Sequence, residues 1–278
     1  MNRSIIIICL SLLLFGCLPR PDTMNSDRSE LRIKGSDSML LLMQRLGEQF
    51  MKQQTAPSIH VEGGGSKVGI EALIEGSVDI CATSRPLSTD EIQRLAQRYQ
   101  SIGVSVLCAK DALSIVVHPT NTVRNLTMNQ VKAIFTGAIK NWKEIGGDDR
   151  VITTYGRETN SGTYLYFEEH VLFGEQYSEE SVVIPGARAL INAIAQDSTA
   201  IGYSTFVYTE NVASLSVDGV PLSIESVQNG TYPITRYLYF YTVYPPEGAI
   251  KKFIDWVIGK EGQNVVKTNG YIPLYNVE

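Results

Sequence analysis

The chain has 278 residues, with 24 Lys and Arg against 29 Asp and Glu, a formal net charge of −5 and 44% hydrophobic residues. Such a length carries two lobes or one large domain. The mildly acidic balance excludes a nucleic-acid binder, which needs a basic face, yet leaves room for an anion site that relies on local dipoles and one or two arginines.

In chain order, the sequence opens with an export signal. Arg3 supplies the positive start and Ile5 to Phe15 the apolar stretch, too short for an ordinary membrane-spanning helix. Leu14-Phe15-Gly16-Cys17 resembles a bacterial lipobox, in which cleavage exposes a cysteine that receives lipid, although Phe15 is bulkier than that pattern usually carries. Residues 1–16 are therefore read as a lipoprotein signal peptide, Cys17 as the lipidation site and membrane anchor, and the polar stretch 17–30 as a tether. The expected location is outside the cytoplasm, lipid-anchored or periplasmic. Of four cysteines, Cys9 falls in the signal, so only Cys81 and Cys108 are left for the folded part. That compartment permits a disulfide between them; two buried thiols are the alternative. His60, His118 and His170 are scattered and no CxxC occurs, so neither a metal site nor a cofactor is expected.

From residue 31 onward strand-like and helix-like runs alternate, the pattern of an α/β fold. Leu31 to Lys34 predicts a strand, followed by Gly35-Ser36-Asp37-Ser38 and a helix with Met39, Leu42, Met43, Leu46 and Phe50 on one face. Ile59 to Glu62 predicts a second strand, then Gly63-Gly64-Gly65-Ser66 and a helix through Ile70, Leu73 and Ile74. Val78 to Ala82 ends in Thr83-Ser84-Arg85-Pro86, before a helix over Asp90 to Tyr99. Val104 to Leu107 and Leu113 to Val117 read as two strands, and Thr127 with Gln130 as a capping box. A strand-like run from Val151 to Gly156 leads through Arg157-Glu158-Thr159-Asn160-Ser161-Gly162-Thr163 into a helix from Tyr164 to Leu172. Val182 to Ile184 and Ala200 to Tyr203 flank a helix over 187–196. Arg236 to Tyr244 is a long β-prone run, whose aromatic period suits packing, and Pro245-Pro246 opens a last helix through Ile250, Phe253 and Val257. Two β-prone crossings, near 112–118 and 236–244, suggest a chain that leaves one lobe, builds a second and returns, with lobe 1 over 31–113 plus 243–278 and lobe 2 over 114–242. A hinged cleft would separate them.

Four junctions share one design, with Gly and Ser or Thr after a strand and at or near a helix start. Free N–H groups and the helix dipole favour an anion there, hydroxyls donate to oxygen atoms, and in open α/β sheets ligands sit beyond the carboxyl ends of the strands. Arg85 and Arg157 add guanidinium groups. Ordinary N-caps and turns are the competing account of each junction taken alone, and a surface ion pair with Glu158 or Glu168 that of Arg157. Glu158, Glu168 and Glu169 lack a nucleophile–base arrangement, so no catalytic residue is assigned.

The chain resembles the phosphate-binding subunit of bacterial phosphate ABC transporters, with a type II periplasmic-binding-protein fold, over residues 31–278. The resemblance rests on Gly35-Ser36-Asp37-Ser38, Glu62 to Gly69, Asp79 to Pro86, Ile134 to Trp142, Arg157 to Thr163, Ala200 to Tyr203 and Gly270 to Pro273. It implies two lobes, each a mixed sheet flanked by helices, joined by two hinge strands. It implies phosphate contacts from Ser36, Ser38, Ser66, Ser84 and Arg85 in one lobe and from Arg157, Ser161, Gly162 and Thr163 in the other. It further implies inorganic phosphate as ligand, an ABC permease as partner and a monomer. Some members place an Asp where this chain has Ser84, so Asp37 becomes the candidate acceptor for the proton of hydrogen phosphate. Its competing reading is a helix N-cap. Ser84 and Arg85 together open the alternative of a sulfate-like oxyanion. A phosphate-sensing surface lipoprotein and a phosphatase are the remaining alternatives.

Overall fold

The computed structural model describes residues 29–53 and 56–277; the signal, Cys17 and the tether up to residue 28 lie outside the described residues. The first segment alternates as expected. It runs β1 (Glu30–Gly35), α1 (Leu40–Phe50), β2 (Ser58–Glu62), α2 (Ser66–Glu75), β3 (Ile80–Thr83) and α3 (Thr89–Tyr99). β1 pairs in parallel with both β2 and β3, so the loops that follow all three strands gather at one edge. α1 buries Leu42, Met43, Leu46 and Phe50 at helical spacing, and Met39 sits at its N-cap rather than within it. α3 is fixed by a capping box between Ser88 and Glu91.

The two strands predicted at Val104–Leu107 and Leu113–Val117 are one, β4 (Val104–Val117). Lys110 and Asp111 look like a break in an apolar run. The ladder carries through because Asp111 is paired in register with an arginine of the returning strand. Beyond β4 come β5 (Asn125–Leu126), α4 (Met128–Phe135) with the expected Thr127–Gln130 box, a 3-10 turn (Trp142–Ile145), β6 (Thr153–Gly156) and α5 (Gly162–His170). The chain continues through β7 (Val182–Val183), α6 (Ala187–Ile194), β8 (Ala200–Thr205), β9 (Ala213–Val217), α7 (Ile224–Gln228) and β10 (Thr235–Thr242), then α8 (Gly248–Ile258) and α9 (Lys260–Thr268). Pro245-Pro246 precede the Glu247 N-cap of α8 and are not in its first turn.

The strand order is β2-β1-β3-β10-β4-β8-β6-β7, with β9 against β4 and β5. β10 is antiparallel to β3 on one side and β4 on the other, while the far end of β4 pairs with β8 and β9. β4 and β10 thus run between two lobes. In the first, α1, α8 and α9 cover one sheet face around Leu42, Phe240 and Phe253, and α2 and α3 the other around Leu73 and Leu95. In the second, α4 and α5 pack around Phe135, Phe167 and Tyr203, and α6 covers the opposite face with Leu190 and Ile194. Each lobe is therefore a sheet between helices, with its own core.

Candidate anion-binding site

Four serine hydroxyls from three loops of the first lobe converge. Ser36 Oγ is 2.8 Å from Ser38 Oγ and donates to Ser84 Oγ at 3.0 Å. Ser66, the first residue of α2, places its Oγ 3.4 Å from Ser84 Oγ and accepts from the Ser84 N–H at 3.2 Å. All four residues are buried. The loops are held tightly together: Ser36 N donates to Ala82 O at 2.8 Å, and a Cβ on Gly35 would lie 1.8 Å from that same carbonyl oxygen.

The second lobe presents the start of α5 to this cluster. Ser161 is its N-cap and accepts from Thr163 N and Tyr164 N at 3.2 and 3.4 Å, leaving its own proton free. Gly162 abuts the serines so closely that a Cβ there would fall 2.2 Å from Ser66 Oγ and 2.7 Å from Ser84 Oγ. The lobes also meet through the backbone: Asn160 O accepts from Lys67 N at 3.1 Å, and Asn160 Nδ2 donates to Gly64 O at 3.2 Å.

Arg157 is 3% exposed and donates through Nη2 to Asp37 Oδ2 and through Nε to Glu158 Oε2, both at 3.1 Å. Its N–H rests on Tyr203 Oη at 3.4 Å, and that hydroxyl pairs with Tyr177 at 2.9 Å. Burial raises the pKa of both tyrosines, which keeps them protonated. Asp37 is not a helix cap. Its Oδ1 accepts from Gly64 N at 2.8 Å, and α1 has no side-chain cap.

Arg85 departs from expectation. Its two terminal nitrogens are paired with Glu91 at 2.8 and 2.6 Å, and Nη1 also donates to Pro86 O. The charge is balanced by Glu91 in the first turn of α3, so Arg85 adds no net charge beside the serine cluster. Cys81 and Cys108 are free and buried; of the two readings, buried thiols is the one observed.

Two residues that the sequence reading passed over stand beside the cluster. Arg236 of β10 is 6% exposed. It donates to Asp111 Oδ2 through Nε at 3.0 Å and Nη2 at 2.7 Å, to Thr163 Oγ1 at 3.1 Å and to Ser38 Oγ at 3.3 Å. The signal was available, since a lone arginine and a lone aspartate in otherwise apolar strands need a reason. With Arg85 removed, two guanidinium groups face three carboxylates, those of Asp37, Asp111 and Glu158. The arrangement therefore offers an anion hydroxyls, the Gly162 N–H and the α5 dipole rather than surplus charge. A cleft of about 1230 Å³ opens beside the cluster, with Ser84, Tyr166 and Arg236 in its lining. No group of three or more His, Cys, Asp or Glu among the described residues could hold a metal ion.

The family model described as the PBP superfamily domain matches residues 21–261. The phosphate-binding protein PstS of Bacillus subtilis is 33% identical, over 89% of this chain and 82% of its own length. That of Pseudomonas aeruginosa strain PAO1 is 31% identical, over 92% and 87%. A Clostridium perfringens chain described as a phosphate ABC transporter substrate-binding protein, solved with bound phosphate, superposes with a TM-score of 0.81 at 31% identity, covering 88% of this chain and all of that one. An ABC-type phosphate transport receptor from Vibrio cholerae gives 0.73 at 26%, covering 87% and 99%. Two lobes closing on a buried cluster of hydroxyls and guanidinium groups, together with these likenesses, identify the chain as a member of the PBP superfamily and, within it, of the family of PstS phosphate-binding proteins.

Proposed function

We propose that the protein captures inorganic phosphate in its interlobe cleft and delivers it to an ABC permease. The observation that carries this reading is the meeting of Ser36, Ser38, Ser66 and Ser84 with Gly162 and the start of α5 from the opposite lobe. Such a site supplies directed O–H and N–H donors to a tetrahedral oxyanion and is complete only when the lobes close, so the ligand stabilises the closed form. The PstS names of the relatives support phosphate as that oxyanion.

In this reading Ser66, Ser84, Ser161 and Thr163 donate to the anion through hydroxyls, Gly162 through its N–H, and Arg157 through its guanidinium, while Ser36 and Ser38 stand behind Ser84 in the same hydrogen-bonded cluster. Asp37, tied to Arg157, accepts the proton of hydrogen phosphate. Arg85 shapes the cleft wall while paired with Glu91. Lobe 1 comprises about 31–113 and lobe 2 starts near 114; the expected return at 243 falls too late for Leu238 and Phe240, which pack in the first lobe's core. The pairing of β10 with β3 from Tyr239 supports a return crossing a few residues earlier, near Arg236. The protein works outside the cytoplasm as a monomer held to the membrane by lipid on Cys17. We read it as a binding protein and not an enzyme, a reading that the phosphate-binding and substrate-binding names of its relatives support.

Sulfate is the second reading, favoured by Ser84 standing where a carboxylate would enforce the ligand's proton. Calorimetry on the lipid-free domain, stripped of phosphate by unfolding and refolding, decides. Tight phosphate binding without competition from sulfate supports the first reading; equal binding supports the second; binding of neither overturns both.

A further inference from the structure

We infer that Arg236, held by Asp111, is the second guanidinium of the site, a positioning residue that primes donors on both lobes at once through a directed relay of hydroxyls. The inference rests on the phosphate reading above.

The direction follows from counting protons. A hydroxyl has one proton to give. That of Ser36 goes to Ser84 Oγ, so in the 2.8 Å contact between Ser36 and Ser38 the donor is Ser38. With its proton spent, Ser38 Oγ meets Arg236 Nη2 at 3.3 Å as an acceptor, the only partnership a guanidinium allows. The relay therefore runs from Arg236 through Ser38 and Ser36 to Ser84. Each member accepts from the cationic side and donates away from it, an arrangement in which each bond polarises the next. The last proton, on Ser84, has only a long 3.4 Å contact with Ser66 Oγ. An anionic oxygen is a stronger acceptor than that hydroxyl.

The same guanidinium acts on the other lobe. Nη1 donates to Thr163 Oγ1 at 3.1 Å, in the first turn of α5, which occupies the Thr163 oxygen and leaves its proton to be given away. One side chain on a hinge strand thus turns the protons of two lobes outward from itself, and holds both contacts together only in the closed arrangement. Its aim is fixed from behind. Asp111 Oδ2 takes Nε and Nη2, Asp111 Oδ1 accepts from Thr205 Oγ1, and the Tyr166 ring lies 5.6 Å from the guanidinium carbon. Replacing a buried ion pair by apolar residues of similar volume is often neutral or stabilising for folding. That allows a clean test.

Arg236→Met combined with Asp111→Leu replaces the pair by apolar side chains. The expected result is a thermal midpoint at or above that of the parent and phosphate affinity about a hundredfold weaker, the scale for losing a buried charged donor. Parent-like affinity in this folded double variant overturns the inference while the phosphate reading stands. If the parent binds no phosphate, the phosphate reading fails, and the inference with it. Should the double variant not fold, Arg236→Lys decides. It keeps the charge but not the fork that reaches Asp111, Ser38 and Thr163 together, and is expected to weaken phosphate binding by about tenfold or more. Unchanged affinity there overturns the inference.

Discussion

Asp37 Oδ2 and Arg157 Nη2 lie 3.1 Å apart across the two lobes, joining side chains 120 positions apart in the sequence. The pair sets the electrostatics of closure. Arg157 is 3% exposed and would be costly to bury alone, while Asp37 at 17% stays in reach of solvent. In the proposed site, Arg157 is thus already paired with two carboxylates, Asp37 and Glu158, and Asp37 is the one proposed to take the ligand's proton.

Asp37→Asn separates those two roles. The amide keeps an acceptor for Gly64 N but loses the charge. If Asp37 takes the ligand's proton, phosphate affinity falls about tenfold, the cost of one buried hydrogen bond, while sulfate, which has no proton to offer, binds more tightly. Competition calorimetry with both anions reads this directly. A parallel gain for both would mean that Asp37 serves only as a counter-charge.

Arg157→Ala removes the ion that faces both Asp37 and the proposed anion. Phosphate affinity is expected to drop by about 2–5 kcal/mol, since Asp37 and Glu158 are then left to repel the ligand. An unchanged dissociation constant sinks the site as assigned.

Gly162→Ala tests closure rather than charge. The new Cβ would sit 2.2 Å from Ser66 Oγ and 2.7 Å from Ser84 Oγ, and both serines are fully buried, with little room to retreat. Overpacking of this kind costs about 1–3 kcal/mol, here charged to the closed form alone because neither lobe's core is touched. The ligand-free thermal midpoint should hold while phosphate affinity falls by about ten- to a hundredfold. Small-angle scattering should show less compaction with phosphate than in the parent; full compaction would count against Gly162 as a point of contact.

What the sequence disclosed follows from what is local. Gly35 to Ser38 and Arg157 to Thr163 combine a turn, a hydroxyl and a helix start within a few residues, so their chemistry is readable from spacing. The partnership of Arg236 with Asp111 spans 125 positions, and each residue taken alone looks like a flaw in an apolar strand. The same flaw split β4 into two predicted strands. Arg85 is a local case that spacing did not disclose: the resemblance implies a phosphate contact for it, and the partner it has in the structure is Glu91, in the first turn of α3. α9 went unread because Gly259 and Gly262 bracket its start, yet a Cβ on Gly262 would fall 2.4 Å from Val257 Cα, and that close approach is why glycine stands inside the helix.

Cys81 and Cys108 should be silent in the native protein. Both are buried and free, and burial pushes both thiols well above the ordinary range, so little thiolate exists to react. A chromogenic disulfide reagent applied to the domain from residue 29 is expected to register no thiol under native conditions and two after unfolding. A count of zero after unfolding without reductant would point to a disulfide and contradict the structure.

Glu91 offers a test by pH. Burial pushes its carboxyl up, but the bonds from Arg85 and the Ser88 N–H outweigh this, and the net shift is downward. A carboxyl lowered in the folded state contributes stability above the ordinary glutamate range. That contribution fades as pH falls through the lower, folded-state value. Glu91→Gln leaves the Arg85 charge without its counter-ion, in a place where Arg85 Nε is already buried and unpaired. The variant should be less stable by about 3 kcal/mol near neutral pH. Because protonated Glu91 also carries no charge, the gap between parent and variant should narrow steadily in urea melts taken at increasingly acidic pH. A gap that stays constant would trace the loss to packing or the Ser88 cap instead of the ion pair. Arg85 would then owe its position to its backbone loop, and its confinement away from the serine cluster would no longer rest on Glu91.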